Sequence, residues 1–201
     1  MNPVIRIYSP IGEAYSFGGD AVTATGIAKE IDVIKQAGHQ AVDVHINSEG
    51  GSVFDAIAIH NLFLRSELDV QMFVDALAAS AASLIVMAGR RIVAEPSAII
   101  MIHQAWTVVA GNADDMEQAA MELRTVDDAI IGIYAARTGQ SLDAVRKMVD
   151  SETWLSAEAA LEYGFVDEIA PAAEQIETAA AASCRARNRA AVAWMEGRLV
   201  R

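Results

Sequence analysis

The 201-residue chain has little of several things, and each shortage excludes something. A single cysteine, Cys184, leaves no partner for an intramolecular disulfide and suits a reducing cytoplasm. Prolines number 4 and glycines 13, while hydrophobic residues reach 53%, so a fibrous or disordered chain is excluded. Basic residues are outnumbered, 15 against 27 acidic ones, and the net charge of −12 argues against a nucleic-acid-binding surface. No hydrophobic run is long. The longest weakly polar stretch, Ala76 to Gly89, falls short of the roughly 18 residues a spanning helix needs, so no membrane partner is expected. Met1 to Ile7 lacks the apolar core of a signal peptide, which again points to the cytoplasm.

What is present is an alternation of strand and helix patterns. Val4–Tyr8 and Val42–Ile46 alternate as strands do, and Val70–Val74 follows. Ile27, Ile31 and Ile34 recur at helical spacing before Gly38. Ser52 caps a helix running to about Arg65, and an alanine-rich helix is expected directly after Val74. Ile92–Ala94 and Ala98–Ile102 read as short strands. A long helix is predicted over 113–138, capped by Asn112 and stopped by Gly139, with Met116, Ala120, Leu123, Val126, Ile130 and Ile133 on one apolar stripe. At 1.5 Å per residue it would be roughly 39 Å long, more than a small domain needs. Further helices start after Ser141 and at Ser156. This order gives an α/β fold with parallel strand pairing. The domain is expected to span 1–170, followed by an alanine-rich basic tail over 171–201. That tail carries Arg185, Arg187, Arg189, Arg198 and Arg201 against Glu196 near its end.

Three features could carry chemistry. Gly50-Gly51 sits in a strand-to-helix turn, where adjacent glycines leave backbone N–H groups unobstructed for an anion or an extended peptide. Ser80 opens the alanine-rich helix, so its hydroxyl lies at the positive end of the dipole and the Ala81 N–H is free for an oxyanion. His103 ends an apolar strand, placed to act as a general base. Each has a plainer explanation, respectively a turn, a helix cap and a structural histidine. Together they form a serine, a histidine and an anion-friendly turn, which need only an acid from Asp150–Trp154 to complete a triad. His39, His45 and His60 read as a turn residue, a polar strand face and a helix surface. No metal-ligand cluster, P-loop or dinucleotide fingerprint occurs, so neither metal nor cofactor is expected.

Several segments in order resemble the Clp protease proteolytic subunit family. Ile46-Asn47-Ser48-Glu49-Gly50-Gly51 resembles its glycine turn, Ala78-Ala79-Ser80-Ala81-Ala82 its nucleophile segment, and Met101-Ile102-His103-Gln104 its histidine segment. Thr138–Ser141, Trp154–Ala159 and Glu162–Asp167 also match in order. Phe17–Asp20, Gly111–Met116 and Glu152–Trp154 are similar to the phage and prophage branch, the Clp-like head maturation proteases. The resemblance implies a crotonase-like fold of stacked βαβ units. The long helix would be the family's handle, joining subunits into a homo-oligomeric ring. It implies ATP-independent serine endopeptidase activity on a polypeptide, with Ser80 as nucleophile, His103 as base, and Gly50, Gly51 and Ala81 around the oxyanion and substrate.

Departures from the family pattern matter. Its acid is usually aspartate, and the matching position here is Glu152, with Asp150 the alternative. Glu49 replaces the usual proline before the glycine pair, loosening the turn. Strand one begins within a few residues of Met1, so no unfoldase partner docking through an N-terminal segment is expected, and a capsid or scaffold protein met directly is the expected substrate. The rival readings are a non-catalytic ring or scaffold subunit that keeps the fold, and a crotonase-type acyl-CoA enzyme.

Overall fold

A computed structural model of the chain describes residues 1–13 and 19–171. Phe17 and Gly18 of the Phe17–Asp20 motif, and residues 172–201 of the basic tail with Cys184, lie outside the described residues.

Seven strands form one mixed sheet. β1 (Val4–Ile7), β2 (Ala41–Ser48), β3 (Asp69–Ala79), β4 (Arg91–Ala94) and β7 (Glu168–Ile169) lie side by side in that order, all parallel. β5 (Ile99–Ile102) joins β3 in parallel, and β6 (Thr153–Ser156) pairs antiparallel with β5. The expected α/β class and parallel pairing are therefore present, while β6 and β7 are additions. Neither is long or regular enough to announce itself in sequence.

β3 is where the architecture departs most from the sequence reading. A helix was expected after Val74, because alanine favours helix. Instead the strand continues to Ala79. Its first half, Gln71–Val74, pairs with β4, and its second half, Leu77–Ala79, pairs with β5. Sheet hydrogen bonds on both sides override the propensity of three alanines, Ala76, Ala78 and Ala79. The helix that follows, α3 (Ala81–Val86), is only 6 residues long and wholly buried.

The remaining helices carry clear start signals. α1 (Ala24–Gln36) is capped by the Thr23 hydroxyl, which accepts from Gly26 N–H, and buries Ile27, Ile31 and Ile34. α2 (Val53–Arg65) is capped by Ser52. It also buries His60, at 7% exposed, which corrects the reading of that histidine as a helix surface. α4 (Ala113–Thr138) begins with a capping box in which Asn112 and Asp115 satisfy each other's backbone N–H, and it ends at Gly139 in the left-handed region. α5 (Leu142–Asp150) and α6 (Ala157–Glu162) start at the Ser141 and Ser156 caps.

The predicted stripe of α4 meets the core only in its second half. Of the stripe, Ile130 is buried and Val126 and Ile133 pack partly buried against the core, with Asp127, Ile131 and Tyr134 buried beside them. Met116, by contrast, is exposed at 41% and Met121, off the stripe, at 54%. The helix starts beyond the edge of its own core, so among the described residues its first turns have nothing to pack against. Among the described residues, no helix is long and apolar enough to cross a membrane.

Candidate active site

Strand registers bring the predicted residues together. Ala79 is paired with Met101, and Ser80 N–H donates to the Met101 carbonyl at 2.8 Å, so Ser80 and His103 leave adjacent parallel strands at the same level. Ser48 is paired with Ala78 after a register shift in β2, which lays the 49–51 turn against the end of β3. Ile102 is paired with Thr153, which sets Glu152 beside His103. Four segments far apart in sequence thus converge on one sheet end.

Ser80 sits on a sharp corner between β3 and α3, with φ 54° and ψ −125°. Its hydroxyl makes no helix-capping bond. It instead meets His103 Nε2 at 2.7 Å, a strong contact between an oxygen and an imidazole nitrogen. The corner is held from below. Ser83 Oγ donates to the Ser80 carbonyl at 2.6 Å, and the Tyr134 hydroxyl lies 2.7 Å from Ser83 Oγ. Ser83 and Tyr134 are 0% and 1% exposed, and burial raises the pKa of the Tyr134 phenol well above its ordinary value. The phenol is therefore neutral and donates its proton to Ser83.

On the far side of the imidazole, His103 Nδ1 lies 3.9 Å from Glu152 Oε2. That is an ion-pair separation but too long for a hydrogen bond. Glu152 itself has φ 47°, and its other oxygen accepts from the Trp154 indole N–H at 3.2 Å. Asp150, the alternative acid, points elsewhere. Its Oδ1 accepts from Gln104 Nε2 at 3.0 Å.

The glycine pair approaches closely enough that no side chain fits. A Cβ on Gly50 would lie 2.7 Å from the Ala79 carbonyl oxygen, and one on Gly51 would lie 2.1 Å from that of Ile11. Both have positive φ, 101° and 142°. Gly50 N–H donates to Ser48 Oγ at 3.2 Å, which corrects the expectation of Gly50 as a free donor. Among the described residues, Gly51 N–H and Ala81 N–H have no hydrogen-bond acceptor. Both residues line the cleft that opens over Ser80 and His103.

Trp106, Leu84, Ile130 and Tyr134 give this cleft an apolar wall. A second opening toward Pro10, Glu49 and Met101 shares Ser80, His103 and Trp106. Sequence reasoning missed Asp127, Tyr134, Gln104 and Trp106. Their only signal was the polar interruption of the α4 stripe at Asp127 and Tyr134, seven residues apart.

A hydroxyl at a strained strand-to-helix corner, an imidazole on it, a carboxylate behind the imidazole and free N–H groups in front suit acyl transfer. The comparisons with known proteins agree in kind. The Clp protease family model matches residues 17–173. Over 138 residues the chain is 37% identical to the ATP-dependent Clp protease proteolytic subunit 1 of Protochlamydia amoebophila (strain UWE25), an alignment spanning 66% of this chain and 66% of that relative's length. With its site built on the same ordered segments that the family model spans, the chain belongs to the Clp protease family.

Proposed function

We propose that the protein is a serine endopeptidase that cleaves polypeptides through an acyl-enzyme. The observation that carries this reading is the 2.7 Å contact of Ser80 Oγ with His103 Nε2 at a corner of positive φ. In this mechanism Ser80 Oγ attacks the scissile carbonyl carbon while His103 Nε2 takes its proton. The imidazolium then returns that proton to the leaving amine as the C–N bond breaks. Water, deprotonated by His103, attacks the acyl carbon, and as the C–Oγ bond breaks the imidazolium returns the proton to Ser80 Oγ. Gly51 and Ala81 N–H groups hold the oxyanion, and loss of one such donor costs about 3–4 kcal/mol of barrier. Glu152 stabilises the imidazolium, closing on Nδ1 as substrate expels water from the cleft. Family membership, through the match over 17–173, supports the same reading.

The test is fluorophosphonate labelling read by intact mass. One adduct on the wild type and none on Ser80→Ala supports the activated serine. No adduct on assembled wild-type protein would move the assignment to a non-catalytic ring or scaffold subunit.

Finer readings belong with this proposal. The exposed Met116 and Met121 on α4 support a homo-oligomer built through that helix. The likeness of Gly111–Met116 and Glu152–Trp154 to the phage and prophage branch supports capsid or scaffold protein as the substrate, cleaved without ATP in the host cytoplasm. Co-expression with the major capsid protein of a tailed phage tests it, specific truncation by wild type but not Ser80→Ala being the expected result.

A further inference from the structure

Asp127 is a carboxylate in a place that calls for an apolar side chain. It is 7% exposed, on the face of α4 that also buries Ile130, Ile131 and Tyr134. Burial raises its pKa above the ordinary aspartate value, against the lowering effect of one backbone bond. That bond runs to the segment carrying the base: Ala105 N–H donates to Asp127 Oδ1 at 2.8 Å. A buried carboxylate without partners costs several kcal/mol, so a single well-made bond is what keeps it tolerable there.

Ala105 lies two residues beyond His103, where the chain leaves β5 and runs without helix or strand to Gly111. Sheet bonds fix His103 from the β5 side only. On the other side Gln104 is fastened by an exposed side-chain bond to Asp150, and Ala105 by the part-buried bond to Asp127. Two turns further along the same face of α4, Tyr134 reaches Ser83 and through it the Ser80 carbonyl. One rigid helix therefore holds both the serine corner and the histidine exit.

Resting on the reading of Ser80 and His103 as the reacting pair, we propose that Asp127 is a positioning residue, which through Ala105 N–H aims the His103 ring at Ser80 Oγ. It touches neither substrate nor reacting atoms. Its effect is on geometry, and a misplacement of about 1 Å costs on the order of 100-fold in rate.

The experiment uses the full assembled chain as wild type, Ser80→Ala, Asp127→Ala and Asp127→Asn. Inactivation by a fluorophosphonate is resolved into kinact and KI, and hydrogen–deuterium exchange is followed on the 103–112 peptide. Asp127→Ala is expected to lower kinact at least about tenfold with KI within about twofold, and to speed exchange over 103–112. Asp127→Asn keeps an oxygen acceptor and is expected to restore both. Should the alanine variant fail to fold, Asp127→Leu fills the apolar site without an acceptor and is read in its place.

Wild-type kinact and exchange in the alanine variant would overturn the proposal, as would a change in KI alone, or an asparagine variant as slow as alanine. If the wild type takes no label, the serine-protease reading fails and exchange alone judges the staple. Faster exchange that asparagine restores keeps it, and unchanged exchange removes it.

Discussion

Ser80 has a positive φ that a non-glycine residue adopts at a cost of about 1–3 kcal/mol. The strain is held in place by the Ser83 and Met101 bonds on either side. Replacing Ser80 by alanine keeps the strain, since a Cβ remains, whereas glycine releases it. Ser80→Gly is therefore expected to be about 1 kcal/mol more stable than Ser80→Ala in thermal melts, though neither takes a phosphonate label. Equal stability would mean the corner is not strained. Behind the histidine, Glu152→Ala is expected to slow labelling about 10- to 100-fold and Asp150→Ala less than about threefold, because only Glu152 approaches Nδ1. The reverse order would make Asp150 the acid. Ser80 and His103 were legible only in combination, because each alone also reads as a helix cap or a structural histidine, while their segments in order resemble the family's nucleophile and histidine segments. Asp127 was not: an Asp127-Asp128 pair on a helix reads as a solvated face, and only the fold reveals that the first of the two turns inward.

Elements were legible where their ends were marked. Ser52 and Asn112 cap the helices expected of them, and Ser141 and Ser156, read as helix starts, prove to be caps as well. The failure at β3 was physical rather than one of pattern. Alanine carries no side-chain preference strong enough to resist two flanking strands, so Ala76–Ala79 takes whichever structure the sheet imposes. On α4 the apolar repeat was real, but it is longer than the core it serves. Its outer methionines are expected to meet another copy. Met116→Glu combined with Met121→Glu is expected to shift the protein to smaller species in analytical ultracentrifugation, with helix content by circular dichroism unchanged. An unaltered size distribution would place the contact elsewhere.

For the molecule as a whole, His60 is expected to contribute to the loss of stability in acid. Burial lowers its pKa below the ordinary value of 6.5, opposed only by a bond to Asn61. Below about pH 6.5 the unfolded chain takes up a proton that the folded one resists, so this group's stability contribution is full above that pH and is lost as pH falls toward the folded value. His60→Gln is expected to flatten part of the decline in melting temperature between pH 7.5 and 5.5. A decline parallel to that of the wild type would remove His60 as the cause.

The parting of β3 between two neighbours has a consequence in time as well as in space. Ser80 and His103 belong to one uninterrupted β3–α3–β4–β5 stretch, whereas Asp127, Tyr134 and Glu152 follow it in the chain. A chain made from its N-terminus can join hydroxyl to imidazole while α4 is still being synthesised. At that stage Tyr134 does not yet brace Ser83, and Asp127 does not yet hold the Ala105 N–H. A newborn chain would thus hold its reacting pair in an idle form, and would come to full reactivity only when α4 docks.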